Sequence, residues 1–581
     1  MKSLKNLFSI DLRSLALARF CLGLLCFIDI ANRIPQINTF YSDHGILPRF
    51  VLIDQFELAW RMSLLDLNGS SLFAFGLAII GLVSSLLFML GWRTKLNNFI
   101  SWIVIMSFQA RFPEVNHGGD NLLRMLLLWI FFLPSNTYYS VDSVLSSQTK
   151  KESSYFGFSS IAWITQILYV YVFTFLYKWD PSWYKNFDSV YYAMSLDMFT
   201  TTLGKGLLSF PLLMQFLSFF TFALEGLGPI MLLIPWKNSF FRGLDVCLFF
   251  ALHIGIWLTL ELGNFAPACL IMWMAMIPTT FWESKIFKKH SQSQSTIYYD
   301  PDCGFCRKFC FLVKDFLFLP NLHVVSGETN PDILTIIQTK KSWVFINEQG
   351  MFIRWNALSQ MLLKSNFFIF CWLGKLFSIF NFNFIYNFLS SKRGILGRML
   401  NHISFENINS HEGRFKKIIL SFFIFITLAW NIEGLTNSKY FRIESPWDEI
   451  VFSLQLNQQW NMFAPRPMRD DGWFITEAML ASGVKWDILN NHEIKFQKPD
   501  AVQNTYPSSQ WRKFMLNLRT DDNGTYKLWF GRYLCRRWND THPDSLSLTD
   551  YKLSFMRETT PQMGSPLPAP AMEVVWNHHC K

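Results

Sequence analysis

Charge is what this sequence has least of. Asp, Glu, Lys and Arg supply 16% of its 581 residues, where soluble globular chains carry about 25%. That shortfall argues against an ordinary soluble protein. Apolar residues at 51% argue against disorder, because chains stay unfolded when hydrophobicity is low and net charge high. Cysteine is sparse: ten residues, too few and too scattered for a disulfide scaffold. No small-residue cleavage site follows the first apolar stretch, which reads as a retained span rather than a signal peptide. The formal charge of +10 does not point to nucleic acid, because the basic residues cluster beside apolar segments, as the positive-inside bias demands.

What the chain does have is aromatic and aliphatic runs, with 60 Phe and 23 Trp. Its mean hydropathy of +0.20 averages very apolar stretches against polar ones. Apolar runs near 15–31, 71–91, 97–112, 121–136, 159–178, 208–235, 240–260, 264–282 and 415–435 predict a membrane all-α bundle of about nine spans. Alternating these spans from a cytoplasmic N-terminus gathers most of the basic segments on one side. These are Lys2 and Lys5, Arg93 and Lys95, Lys150 and Lys151, Lys237 and Arg242, Lys285 to Lys289, and Arg414 to Lys417. That side is cytoplasmic. The expected place is a bacterial inner membrane, with residues 294–400 inside and 440–581 outside.

Ionisable residues at membrane depth cost several kcal/mol unless paired or watered, so each is a candidate site. Lys178 ends a span, where a buried base and a lysine snorkelling to the interface are both open. His117 lies in a loop between spans, and solvation explains it as well as a role does. His253 lies within a span, where an interhelical hydrogen bond is the rival to catalysis. Glu225, in Ala223-Leu-Glu-Gly-Leu-Gly228, predicts a broken or closely packed helix around a polar cavity.

Several of these positions form a pattern. Arg19, Asp29 and Arg33, Asn116-His117, Tyr139-Ser-Val-Asp142, Tyr177-Lys-Trp-Asp-Pro-Ser-Trp183, and His253 followed by Gly263 and Phe265 occur in that order. The pattern resembles the vitamin K-dependent gamma-carboxylases and their bacterial relatives, the horizontally transferred transmembrane (HTTM) proteins, over roughly residues 8–285. The resemblance implies that Lys178 deprotonates a reduced quinone, which reacts with dioxygen to give a stronger base. That base removes a carbon-bound proton, and the carbanion captures carbon dioxide. It also implies that His117 and His253 belong to the same outward-facing site, acting on a peptide or small-molecule substrate. A lysine suits that role because desolvation disfavours its charged form. Nothing in the chain matches the carboxylases' recognition of a propeptide.

After a polar linker the character changes. Tyr299-Asp-Pro-Asp-Cys303-Gly-Phe-Cys306 reads as a strand entering a helix, with Cys303 at the helix start, inside a small βαβ-type unit. A thiol there has its thiolate stabilised by the helix amides, and the second cysteine resolves mixed disulfides. The stretch 294–400, with Ile385-Tyr-Asn and Lys392-Arg393, resembles the DCC family of thioredoxin-like thiol-disulfide oxidoreductases. The resemblance implies Cys303 and Cys306 as catalytic residues and a cytoplasmic thiol reductant as partner. The proline that thioredoxins place opposite the cysteines has no match. Cys303, Cys306 and Cys310 are a rival metal set, but no second ligand pair at zinc spacing exists, so no metal is expected.

The last ~140 residues predict a β-rich extramembrane domain, with strands at Trp473-Phe-Ile-Thr, Tyr526-Lys-Leu-Trp-Phe and Leu546-Ser-Leu. The aromatics of Gln458-Gln-Trp-Asn-Met-Phe-Ala-Pro465 are expected at the membrane interface. Cys535 and Cys580 are the domain's two cysteines, a candidate disulfide, and Asn523-Gly-Thr525 fits a glycosylation sequon. Two other functions stay open beside the carboxylase-like enzyme. One is a thiol oxidoreductase whose membrane part only anchors it; the other is a non-catalytic scaffold or transporter. Convergence of Lys178, His117 and His253 on one pocket is the discriminating geometry.

Overall fold

The computed structural model describes residues 2–55, 61–146, 152–284, 295–319, 321–365, 368–380, 383–384, 386–387, 412–520 and 524–580. Lys150, Lys151, Lys285, Lys288, Lys289, Ile385, Lys392, Arg393 and Asn523 lie outside them.

The apolar runs of the first half are helices: Leu12–Arg33 (α1), Ser71–Leu90 (α2), Thr94–Arg111 (α3), Gly118–Phe132 (α4), Phe158–Tyr177 (α5), Pro211–Leu232 (α6), Asn238–Thr259 (α7) and Phe265–Met274 (α8). Among the described residues six helices are long and apolar enough to cross a membrane: Leu12–Tyr41, α2, α5, α6, α7 and Arg414–Thr436. The stretch expected as a span at 264–282 is a ten-residue helix, α8, followed by a turn and a short helix, Thr279–Glu283. At about 15 Å, α8 alone is half the thickness of a hydrocarbon core, but the stretch runs along α1 from Asn264, bonded to Asp29, to Ile277, whose carbonyl accepts from Ser14 Oγ. It is apolar all round because it is buried all round, packed against α1, α4 and α7. Consecutive helices α1 to α4 pack side by side, and α5 contacts α4 and α6, so the bundle closes around α8.

At one end of the bundle sits a mixed sheet: Ser295–Tyr299 (β1), Leu322–Ser326 (β2), Val344–Asn347 (β3) and Gly350–Ile353 (β4), ordered β2-β1-β3-β4. β1 and β2 run parallel, and β3 runs antiparallel to both β1 and β4. The parallel pair is joined by Gly304–Phe316 (α9), and Pro331–Lys340 (α10), Arg354–Leu363 (α11) and Phe368–Ile379 (α12) complete the unit. It touches the bundle where the Phe318 ring packs tilted against Tyr139, with centres 4.3 Å apart.

Arg414–Thr436 (α13) then packs along α5. The contact is fixed by Glu412, whose carboxylate accepts from Phe158 N at 2.7 Å, Tyr155 Oη at 2.7 Å and Ser159 Oγ at 2.6 Å. Burial alone would raise this carboxyl, but the bonds from Ser159 and Tyr155, with Lys416, hold it down at about 2. A depressed folded value stabilises the protein above the unfolded value of 4.5. The thermal stability lost in Glu412→Gln is therefore expected to be largest near neutral pH. It should shrink as pH falls from about 4.5 toward 2, read as Tm differences in detergent.

The C-terminal domain is a four-stranded antiparallel sheet, Asp470–Leu480 (β5), Lys485–Trp486 (β6), Leu548–Thr559 (β7) and Ala571–His579 (β8), ordered β8-β7-β5-β6. Two helices accompany it, Ser509–Arg519 (α14) and Thr525–Asn539 (α15), and a disulfide joins Cys535 to Cys580. The strand expected at Tyr526–Phe530 is instead the first part of α15. Its aromatics suit a strand, but Phe530, Tyr533 and Leu534 recur at helical spacing and are the residues buried. Leu546 ends a helical turn, and its strand begins two residues later. The domain is welded to the bundle: Trp511 Nε1 donates to Gln36 Oε1 at 2.9 Å and Asn517 Nδ2 to the Glu114 carbonyl at 2.9 Å.

Candidate functional site

Lys178 closes α5, its amide bonded back to the Thr174 carbonyl at 3.1 Å. The next residues reverse the chain in a short helix, Pro181–Tyr184, for reasons written in their types. Asp180 caps it by accepting from Ser182 N at 2.9 Å, and Pro181 takes the first helical position. The reversal returns Trp183 over the ammonium, with Lys178 Nζ 4.3 Å from the ring centre. Lys178 does not snorkel. It is 4% exposed, and its Nζ points inward to donate to Glu225 Oε1 and Oε2 at 2.7 and 2.8 Å.

Glu225 is 6% exposed on α6. The helix is unbroken there. The neighbouring glycines serve close packing instead, because a Cβ on Gly228 would meet the Phe249 ring at 2.5 Å. Pro229, inside the helix, has no N–H to offer the Glu225 carbonyl.

The pair heads a cavity of about 430 Å³. Its walls are apolar, from Val170, Phe216, Phe220, Leu252 and Ile256, and its other polar lining includes Tyr171 and His253. His253 Nε2 lies 2.7 Å from Tyr171 Oη, which accepts from Trp273 Nε1 at 2.8 Å. Indole only donates, so the Tyr171 oxygen accepts from Trp273, and the direction of its bond with His253 follows the tautomer of the imidazole. Among the described residues Nδ1 is buried and without a partner.

His117 lies elsewhere. It caps α4, with the Gly119 amide donating to its Nδ1 at 3.1 Å, and lines a second, polar cavity of about 380 Å³. A buried network surrounds it: Arg33 Nη2 donates to Asp120 Oδ1 at 2.9 Å, Arg33 Nε to Asp29 Oδ2 at 2.9 Å, and Asn264 Nδ2 to Asp29 Oδ1 at 2.7 Å. Gly263, at φ +59, passes so close that a Cβ would lie 2.4 Å from His117 Nε2. The cavities back onto each other, since Gly118 lines the first and its neighbour His117 the second. Lys178 and His253 thus share one chamber, and His117 opens into the adjoining one. Arg19 and Asp142 work at the other end. Arg19 Nη2 donates to the Tyr139 carbonyl at 2.5 Å, and Asp142 accepts from Arg93 N and Thr94 N at 2.8 and 2.9 Å.

Gln458–Pro465 overturns the interfacial expectation for one of its aromatics. Trp460 is 3% exposed inside the bundle and lines the Lys178 cavity, with Gln459, Met462 and Phe463. Polar pairing draws it in: Gln166 Nε2 donates to Gln458 Oε1 at 2.8 Å, and Trp460 Nε1 to the same oxygen at 3.1 Å.

In the α/β unit, Cys303 caps α9 and is joined to Cys306 as a disulfide, with Cys306 N donating to Cys303 Sγ at 3.2 Å. Cys310 is fully buried against Ile297, Phe345 and Met361, a core residue apart from the pair. Trp343, immediately before β3, stacks on Phe309 at 5.1 Å. Among the described residues no group of three His, Cys, Asp or Glu side chains is placed to hold a metal ion. Set against known proteins, the chain matches no family model, no curated protein and no solved structure.

Proposed function

We propose that this protein is a membrane enzyme of the carboxylase-like, HTTM kind, in which Lys178 is the base toward a reduced quinone bound in the 430 Å³ cavity. The observation that carries the reading is the inward-turned Lys178–Glu225 pair at the head of an apolar chamber that also holds His253. The residues fit such a cofactor: the apolar walls suit a flat ring and an aliphatic tail, and the polar atoms are few. A dihydroquinone supplies an acidic hydroxyl and, when oxidised by dioxygen, the free energy needed to remove a weakly acidic carbon-bound proton. In a dry chamber both charges of an ion pair lose hydration, which is the physical cost that passing the lysine proton to the carboxylate relieves. Once its own proton has passed to Glu225, Lys178 takes the hydroxyl proton, the new ammonium stays hydrogen-bonded to the Glu225 carboxylic acid, and His253 is held beside them by Tyr171. The test is to supply the purified protein with a reduced menaquinone or vitamin K, dioxygen and labelled bicarbonate. Quinone oxidation to the epoxide is expected; a quinone left untouched would end the reading.

The topology proposed with it has about nine crossings, the N-terminus and the 294–400 unit in the cytoplasm and the 440–581 domain outside. The basic residues beside the spans support it. A reporter fused after residue 290 is expected to behave as cytoplasmic and one after residue 440 as external. Both on one side would remove the crossing by α13.

The second site is a thiol-disulfide oxidoreductase. Strand order β2-β1-β3-β4, a parallel first pair and an antiparallel hairpin support a thioredoxin-like fold, and the Cys303–Cys306 bond at a helix start supports the activity. The Cys303 thiolate attacks a substrate disulfide and forms a mixed disulfide, releasing one substrate thiolate. Cys306 displaces the other, leaving the Cys303–Cys306 bond, and a cytoplasmic thiol reductant returns the two electrons. Cys303→Ser is expected to abolish reduction of a small disulfide substrate, and Cys306→Ser to accumulate the mixed disulfide, visible by mass. Full activity without Cys303 would overturn this assignment.

A further inference from the structure

The helix α12 is committed on one side only. Gly374 presses against α11, leaving no room for a Cβ, which would lie 2.7 Å from Leu363 N. Phe377 packs on Trp355 with ring centres 4.9 Å apart. About half a turn round the helix, Ile369, Trp372 and Ile379 are 55%, 57% and 75% exposed. Their spacing of three and then seven residues puts them on a single stripe. Lys375 is exposed at its margin. An apolar stripe with a tryptophan and a basic flank is the composition of a helix that lies in a membrane interface.

Its position in the fold names the occupant. Phe370, in the first turns of α12, lies 6.1 Å from Phe318, and Phe318 lies 4.3 Å from Tyr139. Tyr139 in turn stands 6.4 Å from Trp282, beside the start of α1, where Trp282 Nε1 donates to Ser14 Oγ at 2.7 Å. Trp236, just past the end of α6, is 65% exposed at the same end of the bundle. Trp282 is buried, so Trp236 is the tryptophan here whose exposure at a span end marks the headgroup level. The aromatic contacts therefore run without a break from the interface level of the bundle to the root of α12. A protein partner needs no such continuity; a bilayer does.

We propose that α12 lies in the headgroup–acyl boundary of the leaflet at this end of the bundle, with lipid covering Ile369, Trp372 and Ile379 and anionic headgroups meeting Lys375. The α/β unit then rides on the membrane through its own helix as well as through its chain connections. This rests on the membrane reading of the bundle and is independent of the chemistry at Lys178 or Cys303.

The test places the photoreactive residue p-benzoylphenylalanine at Trp372 or Ile379 in the full-length protein, in nanodiscs of phosphatidylethanolamine and phosphatidylglycerol. Adducts are read by intact mass after irradiation. Ile80 on α2, 54% exposed, tests the membrane reading itself, and Glu348 in the β3–β4 turn is the aqueous control. Lipid adducts are expected at positions 372 and 379 in yields about tenfold above position 348. Adducts to a second polypeptide, or none at 372 and 379 while position 80 labels lipid, would overturn the proposal. Failure at position 80 as well would overturn the membrane reading with it.

Discussion

Lys178→Arg and Lys178→Ala are both expected to abolish quinone oxidation, by roughly a hundred- to ten-thousand-fold, the usual contribution of a positioned base. The arginine variant is the informative one. Arginine keeps the charge, reaches Glu225 and suits a bidentate pair with its carboxylate, so the fold should survive. It cannot surrender a proton near neutrality, because guanidinium titrates above about 12. A lysine needed only as a cation would tolerate the change. Added small amines should restore part of the alanine variant's activity, since that variant leaves a space where the base stood. Wild-type turnover in the arginine variant would make Lys178 an anchor and remove the mechanism.

Glu225→Leu is expected to lower stability more than any other single change in the bundle, by about 3–5 kcal/mol, because it strands a buried ammonium. The companion variant, Lys178→Met with Glu225→Leu, removes both charges and both desolvation penalties. It should recover most of the lost Tm while remaining inactive. Stability and activity therefore part in the double variant, which a pair with a purely structural role would not do. Equal Tm values for the wild type and the single leucine variant would mean that the pair is hydrated and screened, and the dry-chamber argument would fail.

The helices were legible because period and length carry their signal. The stretches behind α1, α2, α5, α6, α7 and α13 are apolar over enough residues that little else fits. At 264–282 one continuous helix was expected, and the chain there is a ten-residue helix, a turn and a short helix, an interruption tolerated because it is buried among α1, α4 and α7. The aromatic run Tyr526–Phe530 failed for a different reason: strand preference is a weak vote, and packing on the sheet outvoted it. At the candidate site, Glu225 was conspicuous in the sequence as an acid within a span, yet its partner lies 47 residues away and no spacing rule connects them. The parts played by Tyr171 and Trp460 were not legible at all. An aromatic residue among 60 Phe, 23 Trp and 18 Tyr carries no mark of the cavity it lines.

Trp460 and Phe463 have a consequence for how the protein comes into being. They wall a chamber whose other sides are made more than 200 residues earlier, by Tyr171, Lys178, Glu225 and His253. Every helix through α8 can be threaded into the bilayer while that chamber still lacks a side. It is completed only when the segment beyond α13 has been translated and folded back against α5, where Gln458 meets Gln166. The nascent chain therefore carries its buried lysine and glutamate for much of its synthesis without the chamber that is to isolate them. The wall that isolates the pair comes from a segment made after every helix that carries the rest of the chamber.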